Sequence, residues 1–167
     1  SRFAAASGYA VTAVDVSPLM LEYVQVKATQ ENLSSLQTCH AGFLTMDFPS
    51  GTFDAVVSGA ALHHLPDAWK FVALRNVARV LKDKGQFILG DVVFGLKPGE
   101  TPEACFERFI NSFNEQMRHG AKGHVRQEYS TYDWIMEGPL TRAGFNILST
   151  RNAWKNFILY HCVKSKS

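Results

Sequence analysis

Asp15 stands where a side chain could contact a bound nucleoside. It ends an apolar run over residues 11–16, and Ser17 and Pro18 then supply the cap and first turn of a helix. In open parallel sheets, ligands bind at the carboxyl ends of strands, where a carboxylate can accept hydrogen bonds from both hydroxyls of an adenosine ribose. A helix-start acid favoured by the helix dipole would explain Asp15 equally well. Asp15 is therefore a candidate for nucleoside binding, and a purely structural role at the helix start is the alternative.

Two adjacent histidines, His63 and His64, follow a second predicted strand over residues 53–58. Between them and the strand stand Gly59 and Ala60, whose small side chains let a ligand approach the backbone or let a helix pack tightly. An imidazole can exchange a proton near neutral pH. No further histidine, cysteine or carboxylate stands at the spacing of a zinc site, so the sequence predicts no bound metal.

The elements that must position these residues alternate in type along the chain. Hydrophobic periodicity predicts strands over residues 11–16, 37–41, 53–58 and 86–94, and amphipathic helices over residues 18–32 and 67–82. Such alternation is typical of parallel strands joined by helices. The sequence therefore predicts an α/β fold built from βαβ units.

The segment over residues 97–127 is predicted to cover a substrate pocket. A helix opens at Thr101 and Pro102 and carries aromatic side chains at helical spacing as far as Met117. Residues 119–127 are polar, contain glycine and are rich in His and Arg, which is typical of a mobile surface loop. Plain packing into the core would explain the aromatic face of the helix as well as a cover does.

The end of the chain is predicted to form a helix followed by a β-hairpin. The helix begins near Thr131, and Gly144 ends it. Residues 145–149 and 157–163 have strand character, with residues 151–155 turning between them. The predominantly parallel sheet should thus finish with an antiparallel pair.

Composition excludes several classes of function. The chain has 167 residues, of which 46% are apolar, and this fits a single domain over residues 1–167 with a substantial core. Lys and Arg are scattered and the net charge is +2, which gives no surface for nucleic acid or for a membrane. No signal segment or membrane span stands out. Cys39, Cys105 and Cys162 lack CxxC pairing, so we expect reduced thiols and a cytoplasmic protein.

Four segments in register resemble one enzyme family. They are VDVSPLML at 14–21, FDAVVSGAALHHLPD at 53–67, RVLKDKGQFILGDVVF at 79–94 and EYSTYDWIMEGPLTRAGF at 128–145. Their order and spacing resemble those of class I S-adenosylmethionine-dependent methyltransferases, and the resemblance covers nearly the whole chain. It implies a Rossmann-like methyltransferase fold, with a mostly parallel twisted sheet, helices on both faces and a C-terminal antiparallel hairpin.

The resemblance also implies S-adenosylmethionine as cofactor and assigns residues to it. Asp15 would bind the ribose hydroxyls, with Val16 and Met20 against the adenine. The other implied cofactor-binding positions are Gly42, Phe43, Ser58, Gly59 and Ala60, of which the last three would line the methionine end. Gly42 stands where the family often carries an acid that accepts from the adenine amino group, so a backbone carbonyl, a water or Asp47 would have to replace that contact.

The catalytic residues implied by the resemblance are His63 and His64, at the entrance where the methyl group is presented, with Asp91 facing the same crevice. Methyl transfer is an in-line displacement, and it depends mainly on the alignment of donor and acceptor and on the exclusion of water. A hydroxyl or protonated amine acceptor needs a base as well. Other side chains that could serve as the base are His119, His124 and Tyr129.

One departure from the family pattern is large. The resemblance implies an initial strand and a GxGxG loop, and residues 1–3 resemble the segment immediately after that loop. We therefore expect upstream residues in the parent gene, or a strand donated by another chain, which leaves a homo-oligomer possible.

The expected function is methyl transfer to a small-molecule acceptor. The alternatives are a non-catalytic binding or assembly module of methyltransferase-like fold and, less favoured by the HHLPD segment, an NAD-dependent oxidoreductase.

Overall fold

The structure is a computed structural model that describes residues 1–154 and 156–166, with the backbone alone at His124. The chain forms two compact units, Ser1–Asp47 and Phe48–Ser167. No helix in the described part of the chain is long and apolar enough to cross a lipid bilayer.

The first unit is a βαβ arrangement preceded by a short helix. Its elements are α1 (Arg2–Ala6), β1 (Val11–Asp15), α2 (Pro18–Gln30) and β2 (Leu36–His40). The strands β1 and β2 pair in parallel, from Val11 opposite Leu36 to Asp15 opposite His40. The Ser17 side chain caps α2 by accepting from the backbone N–H of Met20, as the sequence predicts. Asp15 therefore lies at the carboxyl end of a parallel strand.

The second unit contains a larger mixed sheet. Its elements are β3 (Phe53–Gly59), a 3-10 helix (Leu62–His64), α3 (Asp67–Val80), β4 (Leu81–Phe94), α4 (Pro102–Asn111), α5 (Glu115–Gln127), β5 (Thr131–Tyr132), α6 (Asp133–Arg142), β6 (Phe145–Trp154) and β7 (Phe157–Lys164). The strand order is β3-β4-β7-β6, with β5 beside the end of β4. β4 is parallel to β3 and β5, whereas β7 is antiparallel to both β4 and β6. The predicted C-terminal hairpin is confirmed.

Strand β4 is the centre of this sheet, because β3, β7 and β5 all pair with it. Its second half is almost entirely buried, as expected for a strand covered on both faces. Gly90 leaves room for β7, since a Cβ there would lie 2.7 Å from a ring carbon of Phe157. The large side chains of the core are Phe87, Leu89, Leu74, Leu140, Phe145 and Tyr160.

Strands β1 and β3 each have a single strand partner among the described residues. Strand β1 pairs with β2, and β3 pairs with β4. Val57 of β3 is 75% exposed. The strand and the glycine-rich loop that the resemblance implies stay a prediction.

Three local predictions were wrong. The helix predicted to run from Thr101 as far as Met117 is two helices, because α4 ends at Asn111 and α5 begins at Glu115. Residues 119–127 do not form a loop, because they belong to α5, whose Ala121 and Val125 pack beside Phe94 and Phe109. One apolar residue per helical turn was enough to hold this polar segment against the core. The predicted turn over residues 151–155 is also too long, since β6 continues to Trp154, and residue 155 lies outside the described residues.

Candidate functional site

A pocket of about 510 Å³ lies in the second unit, where residues from the ends of β3 and β4 meet α4 and α5. One wall is apolar and is made by Val92, Phe109, Phe113, Met117, Ala121 and Val125. The polar side chains of the lining are His63, His64, Glu128 and Ser130. A cavity of this size with an apolar wall and a few convergent polar groups is typical of a small-molecule site.

Aromatic contacts hold the apolar wall in place. Thr101 caps α4 by accepting from the backbone N–H of Ala104, and the amphipathic pattern of α4 then turns Phe109 inward. The Phe109 ring packs edge-to-face on Phe94 of β4, with centroids 5.3 Å apart, and on Phe113, at 5.1 Å. The wall is thus anchored to the central strand. Covering of the pocket by residues 97–127 stays a proposal.

At the polar end, Asp91 is fully buried and orients His63. One carboxylate oxygen accepts from the backbone N–H groups of Leu62 (2.9 Å) and His63 (3.1 Å), and the other accepts from that of Val92 (2.8 Å). The second oxygen also contacts the Nδ1 of His63. An imidazole that donates from Nδ1 to a carboxylate leaves Nε2 as its reactive nitrogen.

The surroundings of His63 favour its protonated form. Burial alone would lower the pKa of its imidazole, but the hydrogen bond and the charge of Asp91, together with the charge of Glu128, outweigh burial. The Lys70 ammonium opposes them weakly. The net effect is a pKa above the ordinary value of 6.5.

Glu128 is a site residue that the sequence analysis missed. Its Oε2 lies 3.4 Å from the Nε2 of His63, and its Oε1 lies 3.9 Å from the Nδ1 of His64. Only the resemblance marked its surroundings, because Glu128 begins the EYSTYDW segment. The His64 side chain is 59% exposed and lies at the mouth of the pocket, whereas His63 is buried.

Hydrogen bonds to the backbone of Tyr129 hold the segment after Glu128 against the rest of the second unit. The N–H of Tyr129 donates to the carbonyl oxygen of His63 at 2.8 Å. The ammonium of Lys70, which is 1% exposed, donates to the carbonyl oxygen of Tyr129 and to Asp67 Oδ1, the latter at 2.8 Å. These contacts fix Glu128 relative to His63.

The same cluster brings metal-ligating atoms together. His63, His64 and Glu128 each offer one donor atom, and these atoms all lie within 4.8 Å of one another. Two imidazoles and a carboxylate are ligands that transition metals accept. The sequence shows no spacing typical of a metal site, because His64 and Glu128 are 64 positions apart in the chain. The absence of a bound metal stays a prediction.

In the first unit, the predicted nucleoside residues form an open shelf. Asp15 Oδ1 accepts from the backbone N–H of Ser17 at 2.8 Å. Val16 is 69% exposed and Met20 is also exposed. Gly42 lies tightly against Val16, because a Cβ there would come within 2.6 Å of Val16 Cγ1. An apolar shelf beside a carboxylate suits an adenosine, and Phe43, half-buried, follows Gly42.

In the second unit, the end of β3 has space and an unsatisfied group. The Ser58 hydroxyl is buried without a hydrogen-bond partner among the described residues. A Cβ on Gly59 would meet nothing within 4 Å, and Ala60 adopts a left-handed conformation at φ +51° while its N–H donates to Gly90. A polar ligand group would satisfy the Ser58 hydroxyl.

The other side chains named as bases do not join the cluster. His119 is exposed on α5, and Tyr129 contributes its backbone to the site while its side chain is half exposed. The side chain of His124 lies outside the described residues.

Comparison with known proteins decides the family. The methyltransferase domain family matches residues 1–89, which is more than half of the chain. The chain belongs to the S-adenosylmethionine-dependent methyltransferases. This membership confirms the resemblance drawn from the four sequence segments.

Among relatives of this chain, the demethylmenaquinone methyltransferase of Listeria monocytogenes serotype 4a is 28% identical over 127 residues. The match covers 76% of the chain and 50% of the relative. The chain thus spans about half the length of the curated relatives it matches.

Solved structures share the fold. An S-adenosylmethionine-dependent methyltransferase of Methanosarcina mazei superposes with a TM-score of 0.73 at 17% identity, covering 99% of this chain and 87% of that one. The 1,6-didemethyltoxoflavin-N1-methyltransferase of Burkholderia thailandensis, solved with 1,6-didemethyltoxoflavin and S-adenosylhomocysteine bound, gives a TM-score of 0.64 at 16% identity. That match covers 95% of this chain and 63% of that one. The Rossmann-like methyltransferase fold is therefore confirmed.

Proposed function

We propose that this methyltransferase moves a methyl group from S-adenosylmethionine to a small, largely apolar acceptor held in the pocket of the second unit. The observation that carries the proposal is the oriented imidazole of His63 at the polar end of an apolar cavity of about 510 Å³. Family membership supports the proposed reaction class, and the apolar wall of the cavity supports a largely apolar acceptor.

The residues assigned to the methyl donor fit its chemistry. The Asp15 carboxylate would accept from the ribose hydroxyls, and Val16 and Met20 would lie against the adenine. The buried, unsatisfied hydroxyl of Ser58 and the open space at Gly59 suit the polar methionine end. S-adenosylmethionine supplies, when bound, an electrophilic methyl group on a positively charged sulfur.

His63 would act as the base that takes the acceptor's proton. Asp91 holds its Nδ1, so that Nε2 is the nitrogen available to the acceptor. The apolar wall excludes water and aligns the acceptor, which is the main contribution an enzyme makes to a displacement of this kind. His64, at the mouth, would contact the acceptor's exposed end.

Calorimetry of donor binding tests the first half of the proposal. S-adenosylhomocysteine should bind the wild-type chain, while NAD should not. Asp15→Asn should weaken the binding about tenfold because hydrogen bonds to a charged group are lost. Glu22→Gln, an exposed change on α2, is the matched control and should bind like the wild type. Binding of NAD, or binding of neither ligand, would favour the oxidoreductase or the non-catalytic module.

Turnover tests the second half. Formation of S-adenosylhomocysteine would be followed with a panel of small apolar amines, phenols and alcohols. His63→Asn should reduce turnover about 10²-fold while leaving donor binding intact, because only the proton acceptor is removed. His119→Asn, on the exposed face of α5, is the control. Equal turnover in the two variants would exclude His63 as the base.

A further inference from the structure

We infer that Arg108 is a positioning residue for the methyl acceptor. Its guanidinium holds α4 against the end of β4, so that the apolar wall of the pocket is formed before an acceptor enters. This role rests on the proposed function and deepens it, because it names a residue that sets acceptor affinity in the same pocket. Arg108 is not among the described lining residues, and it acts through its neighbour Phe109, which lines the pocket.

The guanidinium of Arg108 is clamped by one carboxylate. Its Nε donates to Glu100 Oε1 at 2.7 Å, and its Nη2 donates to Glu100 Oε2 at 2.8 Å. The backbone N–H of Lys97 also donates to Glu100 Oε2, at 2.9 Å, so the carboxylate is held by the loop that precedes α4. Arginine fixes a carboxylate most firmly in this paired geometry, which a lysine cannot reproduce.

The same guanidinium also reaches the end of β4 and the residue before β7. Its Nη2 donates to the carbonyl oxygen of Gly95, directly after β4, at 3.0 Å and contacts the Cys105 sulfur at 3.3 Å. Its Nη1 donates to Asn156 Oδ1 at 3.3 Å. Asn156 is buried, and its carbonyl oxygen accepts from the backbone N–H of Val93 at 2.8 Å. One side chain of α4 is therefore linked to the carboxyl end of β4 by two routes.

These links join the strand and helix parts of the apolar wall. Val92 of β4 lines the pocket, and so do Phe109 of α4 and Phe113, which follows α4. The Phe113 ring also packs edge-to-face on Trp154, at the end of β6, with centroids 5.9 Å apart. A wall that is already in place spares a ligand the cost of ordering those side chains. We therefore expect Arg108 to contribute to acceptor affinity.

The exposure of Arg108 favours a role in binding over a role in folding alone. Its side chain is 32% exposed, and ion pairs that solvent reaches contribute modestly to the free energy of unfolding. Its geometric effect is larger, because its hydrogen bonds end on segments that carry or adjoin lining residues. Loss of Arg108 should therefore loosen the wall more than it destabilises the fold.

A neutral apolar dye, N-phenyl-1-naphthylamine, reports on the wall without turnover, because its fluorescence rises when it leaves water. Arg108→Lys keeps the charge but not the paired geometry, and it should weaken binding of the dye about tenfold. Arg75→Lys, an exposed change on α3, is the matched control and should bind like the wild type. All binding is measured well below the melting temperature of each variant. Unchanged binding in Arg108→Lys, or no binding by the wild type, would overturn the inference.

Glu100→Gln tests the other half of the pair and decides the question if Arg108→Lys fails to fold. It should weaken binding of the dye, and the double variant should bind little worse than Arg108→Lys, because both changes remove one interaction. Glu103→Gln, exposed in the first turn of α4, is the control and should bind like the wild type. Wild-type affinity in Glu100→Gln, or losses that simply add in the double variant, would contradict the inference.

Met117→Glu locates the dye. Met117 lines the pocket and is 52% exposed, so a charge at this position can stay hydrated in the folded chain. The charge should weaken binding of a neutral apolar dye about tenfold, because the dye would have to displace its water. Unchanged binding in Met117→Glu would show that the wall does not hold the apolar ligand, and the inference would fall.

Turnover separates this inference from the proposed function. With an acceptor found in the panel, Arg108→Lys should raise the KM for the acceptor about tenfold and change kcat by less than about twofold. Binding of S-adenosylhomocysteine should stay unchanged. A lower melting temperature with an unchanged KM would assign Arg108 to folding alone and leave the proposed function standing. Weaker dye binding in Arg108→Lys, with no methyl transfer even by the wild type, would remove the proposed function and leave the positioning of the wall.

Discussion

The backbone N–H of Tyr129 donates a 2.8 Å hydrogen bond to the carbonyl oxygen of His63. This bond joins two segments that are 66 positions apart in the chain. It places Glu128, the neighbour of Tyr129, within 3.4 Å of the His63 imidazole. The position of the Glu128 carboxylate beside the His63 imidazole is therefore held by the backbone and not only by the side chains.

The pH dependence of methyl transfer should report on His63. A base must be neutral, and the two carboxylates raise the pKa of His63 above 6.5, so kcat/KM should rise with pH through a value above 6.5. Asp91→Asn removes one carboxylate, so the rise should move to lower pH while the maximum falls about 10²-fold from lost orientation. Asp83→Asn, an exposed change on the same strand, should keep the wild-type profile. An unshifted profile in Asp91→Asn would show that another group controls the rate.

Lys70 should matter for stability far more than an exposed lysine. Lys70→Met leaves the Tyr129 carbonyl without the ammonium donor and removes the ion pair with Asp67, which should lower the free energy of unfolding by about 1–3 kcal/mol. Lys82→Met breaks the exposed pair with Asp54, which solvent screens, and should lower the free energy of unfolding much less than Lys70→Met. Urea unfolding of the two variants makes the comparison, and equal losses would contradict the structural role of Lys70.

The carboxylate of Glu100 should contribute to the acid sensitivity of the fold. Arg108 and the backbone N–H of Lys97 lower its pKa from 4.5 to about 2. A depressed pKa gives stability above the unfolded value of 4.5 that is lost as pH falls toward 2. The melting temperature of Glu100→Gln should therefore fall less steeply over this interval than that of the wild type. Glu103→Gln, exposed in the first turn of α4, should follow the wild-type slope.

A chelator should leave methyl transfer unchanged, because a proton can pass to His63 without a metal. Added Zn²⁺ should inhibit it, since His63, His64 and Glu128 present donor atoms within 4.8 Å of one another and the metal would occupy Nε2. The measurement is turnover after dialysis against EDTA, with and without added metal. Activity lost to EDTA and restored by a metal ion would make this cluster a catalytic metal centre.

Sequence patterns were sufficient to predict the alternating strands and helices of the βαβ units. The apolar runs indicated the βαβ units, and the capped start at Ser17 predicted α2 within two residues of its end at Gln30. The hairpin was predicted from the strand character of residues 145–149 and 157–163. In the structure β7 alternates in burial along its length. The family resemblance, not periodicity, supplied the Rossmann-like architecture.

The parts that were missed depend on tertiary contacts. The polar composition of residues 119–127 indicated a loop, but two apolar residues one turn apart, Ala121 and Val125, were enough to hold a helix against Phe94. The spacing of the sequence could not connect Glu128 to His63. The hydrogen bonds that hold them together join Tyr129, the neighbour of Glu128, to His63 and to Lys70, both of which are distant from Tyr129 in the sequence. A site whose side chains come from different helices and strands can be predicted only once the packing of those elements is known.

Strand β4 also bears on how such an enzyme can diversify. Asp91, which orients His63, lies on a strand fastened on both sides by β3 and β7, whereas most of the apolar lining comes from α4 and α5. We therefore expect that the helix faces can be exchanged to accommodate a new acceptor while the Asp91–His63 pair keeps its place. An engineer who wishes to broaden the substrate range should randomise positions 113, 117, 121 and 125 and leave the sheet untouched.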